Sequence, residues 1–201
     1  MPKVQEEDDW LSNLPDDLLL SIIERLDIAD ATRTSILSRR WKQIPTLVSK
    51  ICITAGFTDY RQVRNCDDVA RANATMLGAT RSLLENRSTS PYTIHRMCMQ
   101  FFLGHSSIRI GKTIANTVAT HKVGFTEITI LTEKELDRCS PGYKIAYGRQ
   151  LKLFINSCPK AFIFLARLKL ENLTLGKSDF PIVFGLCRCL EFLRLDNCCS
   201  S

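Results

Sequence analysis

Three groups of residues in this 201-residue chain have types that could do chemistry. Gly111-Lys112-Thr113 has the form of the end of a phosphate-binding loop, where backbone amides curl around a phosphate and the lysine neutralises it. That loop needs a glycine five residues before its closing glycine, and Ser106 stands there. Nucleotide binding is therefore not expected. Cys187, Cys189, Cys198 and Cys199 cluster as CxC and CC pairs, without the CxxC knuckles of a structural zinc site. His95, His105 and His121 show neither an HExxH spacing nor a triad partner. The sequence thus offers no catalytic constellation, no metal set and no cofactor, and it reads as a non-enzyme.

The stretch that most needs explaining is apolar instead. Asn13 to Pro45 reads NLPDDLLLSIIERLDIADATRTSILSRRWKQIP. Pro15 suits a first helical position, where a missing amide donor costs nothing, and Asp16 and Asp17 complement the positive end of the helix dipole. Leu18, Leu19, Ile22, Ile23 and Leu26 form a wide apolar stripe, with Leu14 able to pack back over the first turn. Asp27 can cap a second helix through Asp30, Ala31, Thr34 and Leu37. Ser38 can cap a third that carries Arg39, Arg40 and Trp41, and Pro45 closes the unit. About 40 residues bury too little surface to stand alone, so these helices must lean on the following chain, a partner, or both.

Composition narrows the classes further. With 45% hydrophobic residues, the chain can form a sizeable core. It has no run of about 18 apolar residues, and Glu6, Glu7, Asp8 and Asp9 stand where a secretory signal would be basic and then apolar. The expected location is the cytoplasm or nucleus, with no membrane association. The nine cysteines are odd in number and irregular in spacing, which fits free thiols acting as small apolar residues. Residues 1–30 hold nine acidic and two basic side chains, a balance of −7, so the other 171 residues carry +13 to reach the total of +6. A basic body could attract nucleic acid. Its cations are dispersed among periodic apolar segments, which favours ordinary solvated faces.

After Pro45 the pattern changes. Ile51 to Ile53 alternate as a short strand, and Asp67 to Glu85 read as one amphipathic helix broken at Ser88 to Pro91. Ile94, Met97, Met99 and Phe102 follow at intervals of three, two and three. Leu165, Leu168, Leu170 and Leu173 repeat these intervals, as do Leu190, Leu193, Leu195 and Cys198 after a further 25 residues. Asn172 and Asn197 keep the same step. Phe125, Ile128 and Ile130 give a weaker copy. Ile110, Ile114 and Val118 predict a helix in the first gap; Ile145, Leu151, Phe154 and Ile155 predict one ending near Cys158 and Pro159 in the second. Such a period of strand and return segment is the signature of leucine-rich repeats.

Leu14 and Pro15, the following Leu18, Ile22 and Leu26, and the closing Leu37 to Trp41 (LSRRW) resemble the F-box, particularly the plant type joined to leucine-rich repeats. The resemblance covers roughly one fifth of the chain, and a second one, to the repeats of the same proteins, is clearest from Phe164 onward. Asp27 and Ile28 depart from the pattern, since the family often has a proline there. The expected fold is α/β: a three-helix F-box over 10–50 after an acidic flexible tail over 1–9, then an irregular leucine-rich-repeat solenoid over 51–201. The absence of a polar cap after Leu195 reads as truncation of that solenoid.

The resemblance implies a substrate-recognition adaptor of a Skp-cullin-F-box ubiquitin ligase. Leu14, Pro15, Leu18, Ile22, Leu26, Leu37 and Trp41 would form the contact set for a Skp-type adaptor, or support it. Cullin would be reached through that adaptor, and the repeats would hold a protein substrate of unknown identity. The alternative reading is a non-catalytic interaction scaffold, or a degenerate copy that binds Skp without productive ubiquitination.

Overall fold

A computed structural model of the chain describes residues 13–26, 30, 34, 41, 48–55, 65–85, 87 and 93–200. Helix α1, Asp16–Ile23, has Asp16 and Asp17 in its first turn. Pro15 is its N-cap, with ψ 151°. The sequence placed Pro15 one position too late, inside the helix: a proline fixes φ alone, and here its ψ stays extended. The helix stops at Ile23, three residues before Leu26. A tighter turn follows, in which the amides of Arg25 and Leu26 reach back only three residues, to Ile22 and Ile23. The expected capping roles of Asp27 and Ser38, and Leu37, Arg39, Arg40, Pro45, the break at 88–91 and the 1–9 tail, lie outside the described residues.

The rest is a mixed α/β array. Strands β1 (Lys50–Thr54), β2 (Ile94–Phe102), β3 (Val123–Leu131), β4 (Leu165–Glu171) and β6 (Phe192–Asp196) form one parallel sheet in chain order. Helices α2 (Cys66–Glu85), α3 (Ser107–Thr120), α4 (Pro141–Ser157) and α5 (Asp179–Gly185) lie in the connections between successive strands. Two short strands, β5 (Thr174–Leu175) and β7 (Cys199–Ser200), pair beside the sheet.

Strand geometry sends alternate side chains to opposite faces, and here one set is inside. Ile51, Ile53, Met97, Met99, Phe101, Ile128, Ile130, Leu168 and Leu170 are all buried in one core with Met76, Leu83, Ile110, Ile114, Leu151 and Phe162. Phe154 centres that layer, its ring edge-on to Phe101 at 5.7 Å and to Phe162 at 5.4 Å. Gly111 sits inside α3 against them: a Cβ there would come within 2.5 Å of Phe154 and 2.8 Å of Cys158. The glycine of the loop-like motif is thus a helix-packing residue. Gly148 plays the same part in α4, where a Cβ would run into the carbonyl of Thr174.

The repeat positions Ile94, Met97, Met99 and Phe102 are all buried, as are Leu165, Leu168, Leu170 and Leu173. The third copy differs. Phe125 is 37% exposed, and Thr126 takes the buried place opposite Leu165. Strand alternation with Ile128 and Ile130 places Thr126 inward and Phe125 outward; the extra residue of the register shift between Thr126 and Glu127 lies on β4, and Thr126 donates both its amide and its hydroxyl to the Phe164 carbonyl, at 2.9 and 3.1 Å. In α4, Ile145 is exposed and Tyr147 and Gly148 are buried in its stead. Leu193 and Leu195 are partly exposed because β6 is the last strand of the sheet.

Turns after the strands carry the asparagine step. Asn172 and Asn197 both have φ 55°, a left-handed conformation that asparagine tolerates better than other side-chain-bearing residues. Asn172 Nδ2 donates to Thr132 Oγ1 at 2.7 Å and to the Lys134 carbonyl at 2.8 Å. Asn197 Nδ2 donates to Asn172 Oδ1 and to the Leu136 carbonyl, each at 2.6 Å. The 25-residue period is therefore also a ladder of side-chain amides tying successive turns. Asn73 does similar work from α2: its amide donates to the Phe102 carbonyl at 2.8 Å and accepts from the Phe102 amide at 3.1 Å.

Candidate interaction surfaces

The first surface is α1. Leu19 and Ile23 turn inward and pack with Trp41 and Val48 in a small core of their own. Leu18 on the other side is 49% exposed, and Ile22 and Leu26 are 38% exposed each. Leu14, Leu18, Ser21, Ile22 and Arg25 line a groove of about 200 Å³ along this side. A helix apolar on more than one side has one side to spare, and α1 spends one on its own module and leaves the other facing solvent. Of the expected contact set, Leu14, Pro15, Leu18, Ile22 and Leu26 fall on or beside this exposed face. Trp41 is buried at 2% exposure and can act only as support. Contacts among the described residues that link this module to the array include the Arg87 guanidinium, fully buried, which donates to the Val48 carbonyl at 2.6 Å, and the Arg96 amide, which donates to the Ser49 carbonyl at 3.3 Å. Burial pushes the Arg87 pKa down.

The second surface is the outward face of the sheet. Parallel sheets are usually covered on both faces, yet here the outward side chains are exposed or half-buried. Register places Cys52, Cys98, Glu127, Arg167 and Phe192 in one row and Thr54, Gln100, Thr129, Lys169 and Arg194 in the next. Lys50 and Arg96 are neighbours in a further row. Glu127 accepts from Arg96 at 2.6 Å and pairs with Arg167 at 3.3 Å. Asp196 pairs with Lys169 at 3.2 Å and Arg194 at 3.0 Å. Burial works to raise the Asp196 pKa, but the hydrogen bonds from Arg194 and Lys169 outweigh it and hold the carboxyl below its usual range. Five cations (Lys50, Arg96, Arg167, Lys169 and Arg194) against three carboxylates (Glu127, Asp196 and its register partner Glu171) leave this face positive. Arg167 also lies over the Phe192 ring at 5.8 Å.

On the helical side, two concavities of about 460 and 470 Å³ are lined in part by Arg81, Arg109 and Lys112, and by Cys66, His105, Glu133 and Tyr147, respectively. Tyr147 is pushed up to about 12, chiefly by burial, and Glu133 is taken by Lys134 at 3.0 Å. Among the described residues, no three His, Cys, Asp or Glu converge as a metal site, and no helix is long and apolar enough to cross a membrane. All nine cysteines are unbridged. Sequence reasoning passed over Cys52 and Cys98, which stand 46 positions apart and meet only through strand register.

The described residues thus leave one apolar side of α1 and one face of the sheet exposed. Residues 11–51 match the family model of the F-box domain. The chain is 28% identical over 186 residues to F-box/LRR-repeat protein 13 of Arabidopsis thaliana, a match covering 89% of this chain and 34% of that protein. It is 29% identical over 186 residues to FBD-associated F-box protein At5g56370 of Arabidopsis thaliana, covering 91% of this chain and 37% of the relative. Over 36 residues, 18% of this chain and 7% of the relative, identity to F-box protein At1g80960 of the same plant rises to 53%. No solved structure matches the chain. Residues 11–51 thus carry an F-box match, and most of the chain is similar to plant F-box/leucine-rich-repeat proteins, while spanning about a third of the length of the two relatives that it matches along most of its own.

Proposed function

We propose that this chain is a substrate-recognition adaptor of a Skp-cullin-F-box ubiquitin ligase, working in the cytoplasm or nucleus. The observation that carries the reading is the exposed Leu18 and Ile22 side of α1, inside the segment that matches the F-box, above an internal core already completed by Leu19, Ile23, Trp41 and Val48. F-box domains bind Skp-type adaptors, and this side is the apolar surface such a partner would cover. The helical module of 10–50 docks; the array of 51–201 is an irregular leucine-rich-repeat solenoid whose open, positive sheet face holds a protein substrate. The Leu168 to Leu193 register and the asparagine ladder support that reading of the array.

The mechanism is proximity. Holding a substrate lysine near a charged ubiquitin-conjugating enzyme raises its effective concentration, and the adaptor contributes no reacting group. The test is affinity capture of the tagged chain from plant extract followed by mass spectrometry. A Skp-type adaptor and cullin are expected in stoichiometric recovery, with substrates below them. Recovery of neither would overturn the proposal.

A further inference from the structure

We propose that Cys52 and Cys98 form a dithiol site on the open sheet face, oxidised by hydroperoxides to an intrachain disulfide between β1 and β2. The two residues are direct register partners on neighbouring strands. Cys52 is exposed and Cys98 half-buried, so a small oxidant reaches the first while the second lies beside it. Neighbouring strands stand about 4.8 Å apart, within the roughly 4.4–6.8 Å that separates bridged Cα atoms. The sulfur link asks for a slightly closer Cβ approach than the ladder provides. Among the described residues, strand β1 pairs on one side only, so it can move inward to give it. The other exposed cysteines, Cys66, Cys189 and Cys199, have no cysteine as a register partner.

The surroundings divide the labour between the two sulfurs. Lys50 and Arg96 lie in the adjoining row, and Glu127 and Arg167 continue the row of the thiols themselves. Cys98 Sγ lies 3.5 Å from Glu127 Oε2, and its single proton goes to that carboxylate or to the Cys52 sulfur, one at a time. The hydrogen bond from Cys98 pulls the Cys52 thiol down to about 6; Lys50 and Arg96 add to this, against burial and Glu127. Cys98 is pushed the other way, first by its bond to Cys52 and then by burial. At neutral pH the exposed sulfur is the thiolate and its neighbour keeps the proton, the arrangement of a nucleophile with a resolving thiol.

The chemistry balances with hydrogen peroxide as the oxidant. The Cys52 thiolate attacks one peroxide oxygen; the O–O bond breaks, an S–O bond forms, and the departing hydroxide takes a proton to leave as water. The Cys98 sulfur then attacks the Cys52 sulfenic acid. An S–S bond forms, the S–O bond breaks, and the hydroxide leaves as the second water with the proton that Cys98 released toward Glu127. Two thiols lose two electrons in all, and one peroxide gains them.

The experiment treats the full chain with hydrogen peroxide at pH 7, blocks free thiols with iodoacetamide, and maps tryptic peptides by mass spectrometry. Peptides 51–61 and 97–109 each hold one cysteine. They are expected joined and two hydrogens lighter than their sum, separable by dithiothreitol, at a peroxide dose that leaves Cys66 and Cys189 alkylated. Cys98→Ser should turn the product into Cys52 sulfinic acid, and Cys52→Ser should leave Cys98 reduced. Full alkylation of Cys52 after peroxide, sulfinic acid without a link in the unmutated chain, or a link from Cys52 to any other cysteine would each overturn the proposal. The readout does not involve a Skp-type adaptor, so it stands or falls apart from the ligase reading.

Discussion

Leu18→Asp combined with Ile22→Asp is expected to weaken binding to a Skp-type adaptor by at least 100-fold while leaving the thermal unfolding midpoint within a few degrees of the unmutated chain. Leu18 is 49% exposed and Ile22 38% exposed, so in the free protein these side chains contribute little to stability. In a complex they would be covered, and fully burying a large aliphatic side chain is worth roughly 1.5–3 kcal/mol. Each aspartate would lose that gain and place an unpaired carboxylate against an apolar partner, a further penalty. A combined loss of about 3 kcal/mol already amounts to more than a 100-fold change in Kd.

The contrast that gives the double variant its meaning is Leu19→Ala, one residue along. Leu19 is fully buried against Trp41, Ile23 and Val48, where such a truncation removes about 2–5 kcal/mol of folding stability. It should lose adaptor binding together with helical signal. Isothermal titration calorimetry and circular dichroism on the three proteins separate a docking face from a packing face. Undiminished adaptor affinity in a folded Leu18→Asp/Ile22→Asp chain would remove α1 as the interface.

The second large effect belongs to the array. Asn172→Ala is expected to cost about 3–5 kcal/mol in urea unfolding, because three things fail together. Thr132 Oγ1 and the Lys134 carbonyl lose their donor, Asn197 loses its acceptor, and an alanine is left at φ 55°. Each unmade bond at a buried site costs about 1–3 kcal/mol, and the left-handed backbone about 1–2 kcal/mol more for a residue without the side chain that tolerates it. Asn172→Gly loses the same bonds but not the backbone compatibility, so it should recover about 1 kcal/mol relative to alanine. Asn197→Ala, at an exposed turn where water replaces the lost bonds, should cost about 1–2 kcal/mol, chiefly from the same left-handed backbone. Typical domains have only about 5–15 kcal/mol in hand, so Asn172→Ala alone should bring the array near unfolding at 37 °C. Equal stability of the alanine and glycine variants would mean that the positive φ carries no strain.

What the sequence made legible was periodicity. The helix from Asp67 to Glu85 and the intervals Ile94-Met97-Met99-Phe102 and Leu165-Leu168-Leu170-Leu173 coincide with observed elements and buried positions, and the α1 stripe with a helix buried on part of that stripe, because a period of 3.6 or of alternate residues directly encodes which face is covered. Periodicity could not say which half of the α1 stripe is internal. Leu18 and Leu19 are the same residue type at adjacent positions, and only the placement of Trp41 and Val48 separates them.

Three further features went unread, each for its own reason. Thr126 takes the core place in regular alternation with Ile128 and Ile130, leaving Phe125 outward, and a hydroxyl in an apolar row is not a strand signal. Asn65 accepts from the amides of Asp67 and Asp68 at 2.9 and 3.0 Å and so caps α2, a signal present in the residue type and overlooked beside the stronger apolar run. Arg87 and Asn73, buried and bonded to distant carbonyls, are polar residues whose partners lie 39 and 29 positions away. One-dimensional spacing cannot pair them.

The ligase reading rests on where the Skp-type adaptor sits, and hydrogen-deuterium exchange of the full chain with and without a purified adaptor reads that position directly. The account predicts slowed exchange across residues 14–26, with the strands 94–102, 123–131 and 165–171 unchanged because the sheet face stays open for substrate. Protection of those strands with no change in 14–26, or no protection anywhere at saturating adaptor, would contradict it.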